Sequence, residues 1–315
     1  MNLGMMVGDG SPSISPGQAP GVSAPKIRSQ WHRLGWVFIA LLPVLILGGI
    51  GGYAFLKARQ SIREEVQQSL TTIAEQKKQQ IELWLSNISQ ETVIFSEGSF
   101  LADMLGAWLQ NGQKDEALKK SILTRLGQIR DSRHFDSLVV FDTQGQVVLT
   151  VGGAADLAEH SPLVLEVIRD GRPRFVDLHR NIDGKIELGV MAPFVTQSGQ
   201  TIGALYLTVN PEDYLYPMLT SWPVPHATAE TILVRREGES IEYISPLYLL
   251  KIPAMVKRMP FHNIELPDAR GLRGYRGIVK NGTDYRGQPV LSYVTPIKDD
   301  AVAASVVSRV LAGSQ

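Results

Sequence analysis

The side chains best suited to bind a small molecule lie on one short segment. Arg174-Phe175-Val176-Asp177-Leu178-His179-Arg180 reads as a strand, on which successive side chains alternate between the two faces of a sheet. Asp177 and His179 then share a face with Phe175, while Arg174 and Arg180 take the other. A carboxylate and an imidazole beside an aromatic ring suit the amine of a zwitterion, and a guanidinium suits its carboxylate. Arg133, His134 and Asp136, just before a candidate hairpin, extend this polar set. The competing reading is an ordinary solvated strand, since polar residues are common on half-exposed antiparallel sheets.

Other chemistries find less support. The six histidines, His32, His134, His160, His179, His226 and His262, do not pair at a helical or strand metal spacing, so no metal site is expected. With no cysteine there is no disulfide, thiolate ligand or cysteine nucleophile. No Gly-x-Ser-x-Gly, His-Glu-x-x-His or P-loop signature occurs. The expectation is therefore a non-enzyme with no catalytic residues and no cofactor. Lys and Arg number 31, as do Asp and Glu, which leaves no general field to attract nucleic acid.

The elements that must position these residues begin with an uncharged run of 23 residues, Leu34 to Leu56. As an α-helix it spans about 34 Å, slightly more than the hydrocarbon core of a bilayer. Trp36 and Tyr53 sit where aromatic rings favour the interface, and Lys26, Arg28, Arg33, Lys57 and Arg59 bracket the span. A cleavable secretory signal is the alternative, but its apolar region is usually about 7–15 residues. Residues 8 to 25 are rich in Gly, Ser and Pro and read as part of a disordered tail over 1–33. After the span, apolar positions at Val66, Leu70, Ile73, Ile81, Trp84, Leu85, Ile88 and Phe95 predict one long membrane-proximal helix over 57–98. Its stripe, broken by Lys77, predicts a parallel homodimer seam. A second helix is expected over Lys114 to Arg130.

At Ser137 the period becomes strand-like. Leu138 to Phe141 and Gln146 to Val151 flank an Asp142-Thr143-Gln144-Gly145 turn, which predicts a hairpin. A short helix from Pro162 to Asp170 and strands at Arg174–Arg180, Lys185–Phe194 and Thr201–Val209 follow. The order then recurs: a hairpin at Thr231 to Ile244 around Glu237-Gly238, a helical stretch near Tyr248 to Lys257, and a strand from Gln288 to Ile297. Two stacked modules explain this better than one large sheet. The fold class is α+β, with two tandem antiparallel-sheet modules over 99–220 and 221–315.

The segments Leu215-Tyr216-Pro217, Ser221-Trp222-Pro223-Val224-Pro225, Glu230 to Gly238 (ETILVRREG) and Asp284-Tyr285-Arg286-Gly287 resemble the double Cache sensory regions of bacterial signalling proteins. The resemblance covers roughly residues 34 to 297. It implies that both modules are PAS-like and lie outside the inner membrane, in the periplasm, with the tail cytoplasmic; in the family they stand between two membrane helices, whereas one uncharged run here predicts a single-pass anchor. It also implies a sensor for a small molecule such as an amino acid, amine or carboxylate, of the kind that precedes histidine kinase or diguanylate cyclase modules. The chain departs from the pattern after Ile297: no closing helix, second span or output module is read, and Val302 to Val310 is expected to serve only as a substitute last strand, leaving the second module incomplete. The alternative functions are an anchored dimerising scaffold, or a truncated fragment. Tyr216 and Trp222 are expected to pack the junction between the modules.

Overall fold

The computed structural model describes residues 28–153, 161–222, 228–297 and 304–311; the expected tail up to residue 27, and His160 and His226, lie outside them. The chain divides into two compact parts, Met1–Gln60 and Ser61–Gln315. Helix α1, Arg28–Ser96, begins inside the stretch read as tail. In the first part its described side chains from Leu41 to Leu56 are exposed, as a lipid-facing surface requires. Among the described residues this is the one helix long and apolar enough to cross a membrane.

The second part is α+β. Two helices follow α1: α2, Phe100–Gln110, and α3, Glu116–Arg133. Ser99 caps α2 by accepting from the Ala102 N–H at 3.1 Å, and Asp115 caps α3 by accepting from the Leu118 N–H at 2.9 Å. His134 ends α3 in the left-handed conformation, so its backbone has a capping role. The first sheet contains β1 Ser137–Phe141, β2 Val147–Gly152, β3 Arg174–Arg180, β4 Ile186–Val195 and β5 Thr201–Val209, in spatial order β2-β1-β5-β4-β3, with α4 Ser161–Asp170 between β2 and β3. After the short α5, Leu215–Thr220, come β6 Glu230–Glu237, β7 Ser240–Tyr243, β8 Arg258–Pro260, α6 Pro267–Leu272, β9 Gly277–Thr283, β10 Pro289–Pro296 and β11 Ala304–Leu311. Their order, β8-β7-β6-β11-β10-β9, repeats that of the first sheet with one added edge strand.

Two expectations are corrected here. The stretch Tyr248 to Lys257 is a run of turns, with Lys251 and Met255 at positive φ and Leu247 bridged to Ile252; Pro253 in its middle has no N–H to donate and would clash with a preceding helical turn. The last strand is not a marginal substitute. β11 lies between β6 and β10, paired to both over its length, with Val306 and Val307 fully buried on opposite faces.

Helix α1 is the spine of the second part. Leu70, Ala74, Lys77, Ile81, Leu85, Ile88 and Thr92 are all buried, spaced four or three apart as one helical face demands. Leu70 and Ala74 pack on Leu291, Tyr293 and Val310 of the second sheet, while Ile81, Leu85 and Ile88 join the core of the first. The stripe expected to meet another copy is thus largely covered by the chain itself. Lys77 does not break it: its Nζ donates to the Met218 and Ser221 carbonyls at 2.6 and 2.7 Å. These belong to the C-terminal end of α5, where helix carbonyls lack intrahelical partners. Glu75 adds a second clamp, accepting from the Tyr293 hydroxyl at 2.7 Å and pairing with Arg276.

Burial lowers the Lys77 pKa from 10.5 to about 8. Between those values the unfolded chain binds the extra proton, so stability rises with pH across that window. Thermal melts of the wild type and Lys77→Met should show this: the wild type gains on the variant as pH rises from about 8 to about 10. A stability difference independent of pH would show that Lys77 is not desolvated.

Candidate functional site

The two faces of the first sheet are covered differently. Leu138, Val140, Leu188, Val190, Leu205 and Leu207 face α1, α2 and α3, whereas Val139, Phe141, Met191, Ala204 and Tyr206 face Val164 and Val167 of α4. At one end this second face turns polar. Ser137, Thr208 and Gly189 lie side by side on β1, β5 and β4, and the Ser137 and Thr208 hydroxyls are 2.9 Å apart. Glu187, two residues before Gly189 and on the same face, is 4% exposed. Gly189 is small of necessity, because a Cβ there would run into the Tyr206 ring.

Around this row a polar cleft of about 350 Å³ opens, lined by Asp136, Ser137, Asn181, Lys185, Glu187 and Thr208. The turn between β3 and β4 forms one wall. Asn181 Oδ1 accepts from the Asp183 and Lys185 N–H groups at 3.0 Å each, while its Nδ2 donates to Glu187 Oε2 at 3.1 Å. Such an Asx turn fixes the side chain that in turn fixes the carboxylate. The backbone of Asp136 donates to the Thr208 carbonyl at 2.9 Å.

The electrostatics favour a cation. Burial raises the pKa of Asp136 above its ordinary value, and the negative charges of Asp213 and Glu187 raise it further against the opposing pull of Lys185. Arg130, also on the rim, is held by Asp131 at 2.7 Å. A positively charged group entering the cleft would relieve this repulsion.

Of the polar set expected from sequence, Asp136 lines the cleft and His179 touches its edge. Opposite Glu187 on the sheet, His179 approaches Glu187 Oε1 through Nε2 at 3.3 Å, with Nδ1 2.9 Å from the Asp177 carbonyl. Burial pushes its pKa down, but the hydrogen bonds to Glu187 and Asp177 outweigh this and raise it. Asp177 turns away. Its Oδ2 lies 3.3 Å from Arg235 of the second sheet, and burial raises its pKa despite that partner. Strict alternation fails because the register shifts between Val176 and His179, so Val176 and Leu178 enter different cores. Arg180 donates to the Ala254 carbonyl at 2.9 Å, also joining the two sheets. Arg174 approaches Glu166 and Asp170 on α4, and Arg133 pairs with Glu91 on α1.

Glu187, Asn181, Lys185, Thr208 and Asp213 were missed in the sequence. The available signal was one glutamate inside the otherwise apolar run Ile186 to Val195. Of the two residues expected at the junction, Tyr216 reaches the second part of the fold, its hydroxyl donating to the Ile244 carbonyl at 2.9 Å, whereas Trp222 packs on the cluster that Leu70 of α1 forms with the second sheet. Arg235 is the larger joint, holding the Leu178 carbonyl at 2.6 Å and Glu242 at 2.7 Å.

The fold of this chain is similar to that of several solved structures. The sensory domain of the Campylobacter jejuni chemoreceptor Tlp3 superposes with a TM-score of 0.55 at 15% identity, covering 80% of this chain and 96% of that one. The ligand-binding domain of the Pseudomonas fluorescens chemoreceptor CtaA, in complex with L-isoleucine, gives 0.52 at 13% identity over 81% and 95%. That of the Pseudomonas aeruginosa amino acid chemoreceptor PctC, in complex with GABA, gives 0.51 at 17% over 78% and 99%. The chain shares the fold of these domains, as the double Cache resemblance implies. No protein-family model matches the chain, and no curated protein matches it in sequence. The cleft belongs to the first sheet, and Arg235 and Arg180 join that sheet to the second.

Proposed function

We propose that the chain is the sensory region of a membrane-anchored bacterial receptor, and that its first Cache module binds a small molecule through an ammonium or similar cationic group in the cleft between Asp136 and Glu187. The observation that carries this reading is the pair of carboxylates, Asp136 and Glu187, lining an open polar cleft, with Asp136 held above its ordinary pKa by burial and by the negative charges of Asp213 and Glu187. Isoleucine, serine and GABA, the ligands of structurally similar domains, each carry such a group. On this reading the chain is not an enzyme, residues before Leu34 are cytoplasmic, and the part from Lys57 onward is periplasmic on a single inner-membrane span. His179, between Glu187 and the strand that carries Asp177, is the residue through which occupancy would reach Arg235 and the second module.

The test is ligand-induced thermal stabilisation of the full chain in detergent against amino acids, alkylamines and carboxylates. At least one amine-bearing compound should raise the melting temperature. Asp136→Asn should remain folded and bind it about ten- to a hundredfold more weakly, the effect of removing a charge-assisted hydrogen bond. Stabilisation by carboxylates lacking an amine, or unchanged affinity in Asp136→Asn, would contradict the cation assignment.

Homodimerisation belongs to the same proposal. Because Leu70 and Ile81 are covered by the chain's own sheets, the face of α1 left for a second copy runs through Ile62, Val66, Ile73 and Leu83, of which Ile62 and Leu83 are exposed. In a chain with no native cysteine, Leu83→Cys should crosslink between copies with a membrane-impermeant reagent on spheroplasts, and Leu70→Cys should not. Equal yields at the two positions would count against this face.

A further inference from the structure

The two sheets share an order, so their positions can be compared by register. In the first, Ser137 opens β1 and sits beside Thr208 on β5, which sits beside Gly189 on β4. In the second, Glu230 opens β6 and sits beside Arg309 on β11, which sits beside Ser292 on β10. Glu230 and Arg309 therefore occupy the places of Ser137 and Thr208, on the face turned from α1 and towards α6. The first sheet has an open cleft there. The second has a buried guanidinium.

Arg309 is 0% exposed, and none of its three guanidinium nitrogens has a hydrogen-bond partner among the described residues. It is held by charge and by an aromatic face. Glu230 Oε2 lies 3.8 Å away, Asp268 Oδ1 on α6 lies 3.6 Å away, and the guanidinium carbon stands 4.7 Å from the centre of the Tyr285 ring. The two carboxylates are fixed from behind, Glu230 by the Tyr285 hydroxyl at 2.7 Å and Asp268 by the Tyr243 hydroxyl at 2.8 Å. A cation gripped by two fixed carboxylates and a ring, without directional hydrogen bonds, is placed as a bound ion would be.

We propose that the second Cache module carries a cation-binding site equivalent by register to the cleft of the first, and that the Arg309 side chain is its resident occupant. A small guanidinium compound takes the site once that side chain is removed. The second module is thereby closed to ligand at this position. The comparison rests on the cleft reading given above, but the test reads the second sheet alone, so the two can fail separately.

The test measures melting of the full chain in detergent for wild type and Arg309→Ala, with and without about 10 mM methylguanidinium, a concentration at which a weak specific ligand stabilises by mass action. Arg309→Ala should melt lower, because Glu230 and Asp268 are left facing each other without a cation. Methylguanidinium should restore at least half of the loss in the variant and leave the wild type unchanged. Adding Glu230→Gln to the variant should abolish the rescue. If Arg309→Ala does not fold, refolding with methylguanidinium should recover folded protein and refolding without it should not. A variant as stable as the wild type, or one indifferent to methylguanidinium in melting or refolding, overturns the proposal.

Discussion

One buried helical face organises the part of the chain from Ser61 onward. Leu70, Ala74, Lys77, Ile81, Leu85, Ile88 and Thr92 form a single stripe on α1, and each sheet packs one face against part of it. Neither sheet could bury that face alone, since a half-exposed antiparallel sheet needs a second layer. The sheets share a core because Leu233, Ile244 and Val306 of the second reach the same cluster as Ile81 and Leu85. Truncating one such leucine would cost about 2–5 kcal/mol, a large share of the stability of an ordinary domain. The stripe also decides which sheet faces remain for chemistry: those turned from α1, under α4 and α6.

On those faces the same register carries opposite solutions. In the first module, short residues at Ser137, Thr208 and Gly189 leave room, and Asp136 and Glu187 line an open cleft beside Lys185. In the second, Glu230, Arg309 and Ser292 fill the equivalent row, and the cation comes from the chain. Between them, Arg235 ties the strand of His179 and Asp177 to Glu242, and Arg258 extends the network at 2.8 Å. A ligand that repositions Glu187 therefore acts on a strand already bonded to the second module.

Strand positions were readable from sequence because the two hairpins carry Asp142-Thr143-Gln144-Gly145 and Glu237-Gly238 turns between β-branched runs, and β1 to β5 appear within a residue or so of where the pattern puts them. The site was less legible. Asp136 was found by its place before a hairpin, but Asp177 was assigned to the binding face by an alternation that the register shift after Val176 breaks. Glu187 was hidden in an apolar strand, where pattern reading treats a lone charge as noise. Lys77 was read as a break in the stripe because a charge normally marks the solvent face, whereas here two carbonyls at the end of α5 receive it. Arg309 carried no local sign of burial at all. Its partners come from β6, α6 and the Tyr285 turn, which only the folded chain brings together.

The central claim is that the polar end of the first sheet is a cation site. A crystal structure of the compact part Ser61–Gln315 grown with whichever amine stabilises the chain tests it directly. The account predicts the ligand nitrogen within hydrogen-bond distance, about 3 Å, of both the Asp136 and Glu187 carboxylates. An amine bound elsewhere, in the groove beside α1 or with its carboxylate rather than its nitrogen turned towards Glu187, would contradict it.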